Sequence, residues 1–332
     1  MDIMSRRNIL KLASVPLFAP TISFKGFNSK RKQKRQNKSA LLNAKTVLEE
    51  HRCNKGKLKG IPTGYHELDK MISGFQRSNL IVIGGRPKMG KTAFGVNLVR
   101  KLGIENNITV GMFSFTLSKF DFTSKLLSCV SRINLQRIIE GKLNNVEWKK
   151  LNKFAEILSN SPVLLEDRSI FHHLDLGLTI KTWKNKYGVK LIIVNSLQSM
   201  ILSDDLLEWQ KGHFYITSHL KYLAEEYEIP IIVFSSLNSN PELRGGTRKP
   251  ILSDFPDLNA SIEQHADTII TLYRPIVYGI EEACYGKTEN IAELNVMKQN
   301  TGTTGIIGLK YIQDYLVFED LWKNRKFDFD KN

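Results

Sequence analysis

Short apolar runs and longer segments of helical periodicity alternate along most of the chain. The segment before Pro230 is typical of a helix that lies on a sheet, because its apolar residues fall on one stripe. That stripe consists of Ile216, Leu220, Leu223, Ala224 and Tyr227. The apolar runs predict strands at Leu80–Gly84, Thr109–Ser114, Pro162–Leu165, Lys190–Val194, Pro230–Ser235 and Thr268–Tyr273. Repeated strand and helix units predict an α/β fold with a mostly parallel central sheet flanked by helices.

The pattern changes after Glu293 to strand, turn and strand. Gly302, Gly305 and Gly308 punctuate two apolar stretches, Ile306–Tyr311 and Tyr315–Glu319. Glycines between short alternating segments are typical of antiparallel pairs. We therefore expect an antiparallel extension of the sheet near the carboxy terminus, a main domain over residues 60–322 and a tail over residues 323–332.

The first 39 residues are unlike the rest because they hold ten Lys and Arg against Asp2 alone, a net charge of +9. The whole chain carries +15, so the remaining residues carry the difference, +6, and charge alone does not indicate nucleic acid. We predict a disordered basic arm over residues 1–39, either a simple tether or a tail that contacts nucleic acid. Residues 40–59 are predicted to form a helix, Ala40–His51, and a connector, with the helix docking on a neighbour.

Targeting signals are ambiguous. Ser5–Lys11 resembles a twin-arginine export signal, and the uncharged stretch Leu12–Phe24 follows it. A basic segment comes next, and no small-residue cleavage site lies near Phe24. We expect a cytoplasmic protein; export through residues 5–24 and translation from a later start codon are the alternatives. No apolar run approaches the roughly 20 residues of a membrane span, and the three cysteines are too far apart to predict a zinc site or a disulfide.

The most specific motif is a phosphate-binding loop, or P-loop, that follows the first predicted strand and precedes a predicted helix. It fits G-x-x-x-x-G-K-[ST] and consists of Gly85, Arg86, Pro87, Lys88, Met89, Gly90, Lys91 and Thr92. In such loops backbone N–H groups converge on phosphate oxygens, the lysine reaches the β- and γ-phosphates, and the Thr hydroxyl holds Mg²⁺. The strand before it and the helix after it favour a nucleotide site over an accidental glycine turn.

Four blocks carry a family resemblance. They are Ile61–Phe94, Leu220–Leu237, Ser261–Arg274 and Met297–Gly305. In order and spacing they resemble the carboxy-terminal ATPase domain of DnaB-type replicative helicases, from about Leu41 to about Asp320. The resemblance implies a RecA-like fold, ATP with Mg²⁺ between adjacent subunits of a hexameric ring, and single-stranded DNA in its channel. It also implies that Ala40–His51 is the linker helix between subunits, and that the basic arm stands in place of the family's primase-interacting domain.

Residues expected to cleave ATP are replaced at three positions. Asn195 stands where the resemblance implies an aspartate that supports Mg²⁺, and Thr116 where it implies the catalytic glutamate. Asn300 stands where it implies an arginine that reaches a neighbour's γ-phosphate; Lys298, in the same block, remains as a nucleotide-binding candidate. Losing a general base costs about 10²–10⁴ in rate, and losing an arginine finger about 10³–10⁵. We therefore expect weak or absent hydrolysis.

Nearby charges offer partial replacements. Glu166 and Asp167 end a predicted strand, and Asp204 and Asp205 follow another. They are ordinary solvated loop acids or, alternatively, relocated catalytic groups. Arg274 and Lys298 are the remaining candidates for positive charge at a subunit interface, with Lys298 preferred because it lies within a matching block.

The predicted DNA contacts also depart from the family. Pro256 and Asp257 occupy the loop that carries an arginine and a glycine in relatives, and Ser236 stands where a glutamine usually senses the nucleotide. Arg244–Lys249, called the basic loop from here on, is rich in glycine and supplies the candidates Arg244, Arg248 and Lys249 for phosphate contact. The alternative is a mobile surface loop.

Two hypotheses follow. One is a DnaB-like helicase domain that binds ATP and acts in DNA unwinding during replication, with slow hydrolysis. The other is a module that binds nucleotide without hydrolysis and serves assembly or partner binding. Either could form a ring of identical chains or a mixed ring with a complete helicase subunit.

Overall fold

The computed structural model describes residues 58–167, 173–200, 206–256, 261–283, 285–300 and 302–321. All of them belong to one compact unit, Lys57–Asn332. The basic arm, the Ala40–His51 helix, Asp204, Asp205, Asp257 and the tail lie outside the described residues.

The described part is built from alternating helices and strands. The helices are α1 (His66–Ile72), α2 (Lys91–Val99), α3 (Lys119–Ser131), α4 (Leu135–Ile139), α5 (Asn145–Ser159), α6 (His173–Tyr187), α7 (Leu206–Glu226), α8 (Asn240–Leu243) and α9 (Ser261–His265). The strands are β1 (Leu80–Gly85), β2 (Val110–Ser114), β3 (Val163–Glu166), β4 (Leu191–Asn195), β5 (Ile231–Ser236), β6 (Thr268–Tyr273), β7 (Glu282–Ala283), β8 (Gly286–Lys287), β9 (Ile291–Gln299), β10 (Gly305–Ile312) and β11 (Val317–Asp320).

A nine-stranded sheet, in the order β11-β10-β9-β6-β1-β5-β4-β2-β3, organises these elements. Strands β1 to β6 pair in parallel, whereas β9 pairs antiparallel with β6, β10 with β9 and β11 with β10. Register aligns the ends of the central strands, with Gly85 opposite Ser236 and Ser114 opposite Asn195. The carboxyl ends of β1, β2, β4 and β5 therefore meet at one edge of the sheet.

Both faces of the sheet are buried because helices cover each of them. On β1, Ile81 and Ile83 belong to the core that includes Phe94 of α2, while Leu80 and Val82 belong to the core that includes Leu220 of α7. Alternate residues of a strand point to opposite faces, so a strand buried on both sides reads as a continuous apolar run. This is why the sequence of β1 predicts a central parallel strand.

The predicted strands and the apolar stripe of α7 are confirmed, with bounds that differ by a residue or so. The antiparallel extension is confirmed too, but it contains three strands, because β9 already runs antiparallel to β6. Sequence reasoning did not predict the β7 and β8 hairpin or the π-helical turn Arg100–Glu105 that continues α2.

Two searches of the described residues bear on the other predictions. No helix among them is long and apolar enough to cross a bilayer, and no cluster of three or more His, Cys, Asp or Glu forms a metal site in that part. Cys129 is a buried free thiol, while Cys53 and Cys284 lie outside the described residues.

Candidate nucleotide-binding site

The P-loop lies between the end of β1 and the start of α2. Lys88 and Gly90 both adopt left-handed backbone conformations, with φ of 67° and 96°. Gly90 is the residue before α2 and has no side chain to cap it, so the first N–H groups of the helix face outward without side-chain acceptors from that position. A loop of this shape at a helix amino terminus attracts anions.

Lys91 is folded back onto the loop. Its Nζ donates to the carbonyl oxygen of Gly85 at 2.5 Å and to that of Arg86 at 3.3 Å. Burial lowers the pKa of Lys91 to about 8, and the positive charge of Arg86 lowers it further in the same direction. The amine is thus held where phosphate would enter, and its charge depends on pH near neutrality.

This pKa predicts a pH dependence for nucleotide binding. Phosphate favours the charged amine, so Lys91 is expected to be protonated in the complex and to lose its proton in the free protein as pH rises above about 8. Affinity for ATP should weaken above that pH, approaching tenfold per pH unit at the limit. Calorimetric titrations between pH 7 and 9.5, in buffers of different ionisation enthalpy, should show proton uptake that grows with pH. In the Lys91→Arg variant the dependence should flatten; a flat profile in the unmodified chain would contradict the assignment.

Arg274 braces the P-loop from the side of the sheet. Its Nη1 donates to the Lys88 carbonyl oxygen at 3.3 Å, its Nη2 to Gln313 Oε1 at 3.0 Å, and its guanidinium lies 4.4 Å from the centre of the Tyr311 ring. Only 8% of the residue is exposed. Its contacts within its own chain make Arg274 a support for the loop, and less suited to reaching a neighbouring subunit.

The structure brings together two of the three substituted positions. Asn195, at the end of β4, is 3% exposed, and its Nδ2 donates to Thr116 Oγ1 at 3.2 Å just beyond β2. The resemblance implies two carboxylates here; the chain has a neutral hydrogen-bonded pair instead. Neither side chain supplies negative charge or a general base at neutral pH.

Gln198 connects the ends of β4 and β5 beside that pair. Its Nε2 donates to Ser235 Oγ at 3.0 Å, and its Oε1 accepts from the Ser236 backbone N–H at 3.0 Å. The amide missing at Ser236 is therefore present at the same sheet edge, contributed by the segment after β4. A single polar residue between buried Leu197 and Met200 was the sequence signal for it.

Asn300 and Lys298 lie at the end of β9, and both contact their own chain. Asn300 Nδ2 donates to Asp267 Oδ1 at 3.0 Å. Lys298 Nζ donates to the carbonyl oxygens of Glu263 and Ala266 at the end of α9. A contact from Lys298 to a bound nucleotide would require these hydrogen bonds to be exchanged.

The carboxylates considered as replacements are distant from this pair or committed elsewhere. Glu166 ends β3 at the edge of the sheet. Asp167 accepts from the Lys119 backbone N–H at 2.7 Å and forms an ion pair with its ammonium at 3.3 Å. The first of these contacts lowers the pKa of Asp167. It acts as a cap for α3, which favours the ordinary interpretation.

All three basic candidates for DNA contact are engaged within the chain. Arg244 binds Asp254 with both terminal nitrogens, at 2.7 and 2.5 Å, and Asp254 is fully buried. Lys249 forms a 2.7 Å ion pair with Glu293, which is 1% exposed, and Arg248 lies 5.5 Å from the centre of the Tyr278 ring. The basic loop is thus anchored at both ends in this structure.

Sequence reasoning missed one further contact. Arg86, within the P-loop, pairs with Glu242 of α8. The charges were visible in the sequence, but their pairing was not, since 156 residues separate them.

Comparison with known proteins agrees with this geometry. Residues 60–320 match the family model described as DnaB-like helicase C terminal domain. The chain is 35% identical over 274 residues to the replicative DNA helicase DnaB of Geobacillus stearothermophilus, covering 82% of this chain and 59% of the relative. It is 32% identical over 302 residues to the replicative DNA helicase DnaC of Bacillus subtilis (strain 168), covering 89% and 65%. The chain thus spans about three fifths of the length of these relatives.

Solved structures show the same similarity. A DnaB-like replicative helicase, determined with its interactions with primase, superposes with a TM-score of 0.76 at 28% identity, over 85% of this chain and 66% of that one. A second solved structure, an isolated ATPase domain, superposes with a TM-score of 0.77 at 29% identity, over 86% of this chain and 98% of that one. The predicted RecA-like fold is confirmed. With a family match that covers most of its length and a P-loop at the matching position, the chain belongs to the DnaB-like helicase C-terminal domain family.

Proposed function

We propose that this chain is a replicative-helicase ATPase domain that binds Mg²⁺-ATP and hydrolyses it slowly or not at all. The observation that carries the proposal is the contrast at one sheet edge. Gly85–Thr92 forms an anion-binding loop with Lys91 in place, whereas Asn195 and Thr116 form a neutral pair beside it. Phosphate binding needs the first feature, and cleavage needs charge that the second does not supply.

The residues at the loop fit a nucleotide-bound Mg²⁺ in part. Thr92 lies in the first turn of α2, where its hydroxyl would hold the ion together with phosphate oxygens. Asn195 would accept or donate a hydrogen bond to a metal-bound water without adding charge. We therefore expect the nucleotide phosphates to provide most of the charge that holds Mg²⁺.

Assembly is proposed from the family. A ring of subunits would place the P-loop of one chain beside the β9 end of the next, with single-stranded DNA contacting the basic loop. A mixed ring with a complete helicase subunit is the alternative, in which that subunit would contribute an arginine where this chain has Asn300. In such a ring the role in replication would be structural or regulatory.

Separate measurements of binding and turnover test the proposal. The full-length protein is expected to bind Mg²⁺-ATP, with little phosphate release and no stimulation by single-stranded DNA. In Lys91→Ala the affinity should fall by about 10- to 100-fold, because a charged hydrogen bond to phosphate is lost. Calorimetry measures the first quantity and a phosphate-release assay the second.

The opposite result is equally clear. DNA-stimulated turnover in the unmodified protein that disappears in Lys91→Ala would show a working helicase motor and reject slow hydrolysis. Failure to bind ATP would reject the proposal altogether. Size measurement with and without nucleotide would show whether the chain forms a ring by itself.

A further inference from the structure

Arg86 joins the P-loop to the segment that leads into the basic loop. Its Nε and Nη2 donate to Glu242 Oε1 at 3.0 and 2.8 Å, and its Nη1 donates to the Leu237 carbonyl oxygen at 2.7 Å. The Arg86 side chain is 16% exposed, whereas that of Glu242 is 43% exposed. The carboxylate is therefore the partner that can move into solvent.

Glu242 lies on α8, which runs directly into the basic loop. The next basic residue, Arg244, fixes the start of that loop on Asp254, and Lys249 fixes its end on Glu293. Between these anchors, Gly245 and Gly246 have nothing within 4 Å of an added Cβ. A displacement of α8 would therefore shift the first anchor and alter an open part of the loop.

Tyr278 connects the same two features from a second side. The guanidinium of Arg248 lies 5.5 Å from its ring centre. Burial raises the pKa of Tyr278, the charge of Glu242 raises it further, and that of Arg86 lowers it. Both members of the ion pair thus lie close to the ring that supports the middle cation of the basic loop.

We propose that the Arg86–Glu242 ion pair couples phosphate binding at the P-loop to the position of the basic loop. The inference rests on the proposed function, since it requires nucleotide at Gly85–Thr92. A bound phosphate attracts Arg86 and repels the Glu242 carboxylate, so both forces weaken the pair. Without nucleotide the pair holds α8 and the basic loop against the body; with nucleotide that restraint is released. By reciprocity, releasing the restraint in advance strengthens nucleotide binding by the same factor.

Hydrogen exchange of the full-length protein, with and without a non-hydrolysable ATP analogue (AMP-PNP) and Mg²⁺, tests this. Nucleotide is expected to speed exchange over residues 240–249 by up to about fivefold, the ratio that a partly exposed ion pair supports. Glu242→Gln should exchange at the faster rate without nucleotide, show no further change on binding, and bind AMP-PNP more tightly by a similar factor. Glu282→Gln, which removes an exposed charge on β7, is the matched control and should behave like the unmodified protein.

The outcomes separate the coupling from the function beneath it. Nucleotide binding that leaves exchange over residues 240–249 unchanged or slower would overturn the coupling and leave nucleotide binding intact. An equal response in Glu242→Gln and the unmodified protein would also overturn it, because a purely structural pair would change stability without changing the nucleotide dependence. Absence of any AMP-PNP binding would overturn both proposals.

Discussion

Restoring the three substituted residue types in one chain is expected to raise ATP turnover by about 10³-fold or more. The variant is Thr116→Glu, Asn195→Asp, Asn300→Arg. It supplies a base beside β2, a carboxylate at the end of β4, and a guanidinium that a neighbouring chain can present. Because such groups act together, each single change is expected to give little. Phosphate release, measured with and without single-stranded DNA, gives the result.

The control for this prediction is the same triple change combined with Lys91→Ala, which should return turnover to background. An unchanged rate in the triple variant, despite normal nucleotide binding and ring formation, would show that more than these groups is missing. High turnover in the unmodified chain would remove the reason for the experiment.

The second large effect is expected at Asp267. This residue is 9% exposed, and its carboxylate accepts from the Leu80 backbone N–H at 2.8 Å, Lys221 Nζ at 2.7 Å and Asn300 Nδ2 at 3.0 Å. Asp267→Ala leaves a buried β1 donor and an ammonium without their acceptor. We expect a loss of about 2–4 kcal/mol, below the range for a fully buried pair because Lys221 keeps some access to water. Thermal denaturation should show a midpoint lower by roughly 5 to 15 °C.

Glu289→Ala is a matched control, since Glu289 is an exposed carboxylate in the turn before β9. Its midpoint should stay within about 2 °C of the unmodified protein. A shift at Asp267 no larger than that of the control would show that the three contacts contribute little. The result also bears on the triple variant, because an arginine at position 300 would meet this same carboxylate.

Local sequence patterns predicted much of the fold and the phosphate site. The apolar run of β1 and the spacing of Gly85, Gly90 and Lys91 are properties of adjacent residues, and a short segment determines its own backbone shape. The antiparallel direction of β9 was not predictable in this way, because it depends on pairing with β6 through Ile269 and Lys298.

Side-chain partnerships were harder to predict because they join distant parts of the chain. Arg274 and Lys298 were recognised as positive charges, but the sequence does not show that Lys88, Glu263 and Ala266 supply carbonyl acceptors. Likewise, the substitutions at Thr116 and Asn195 could be identified separately, whereas their direct hydrogen bond required the register of β2 on β4. The roles assigned to the substituted residues stay predictions until turnover is measured.

The neutral Asn195–Thr116 pair has a consequence for the lifetime of the bound state. A site that cleaves its nucleotide resets itself, whereas a site that does not must wait for the nucleotide to dissociate. The time spent occupied is then set by the dissociation rate and by the ratio of ATP to ADP in solution. Under the proposed function, this chain would act as a sensor of the cellular energy state rather than as a consumer of energy.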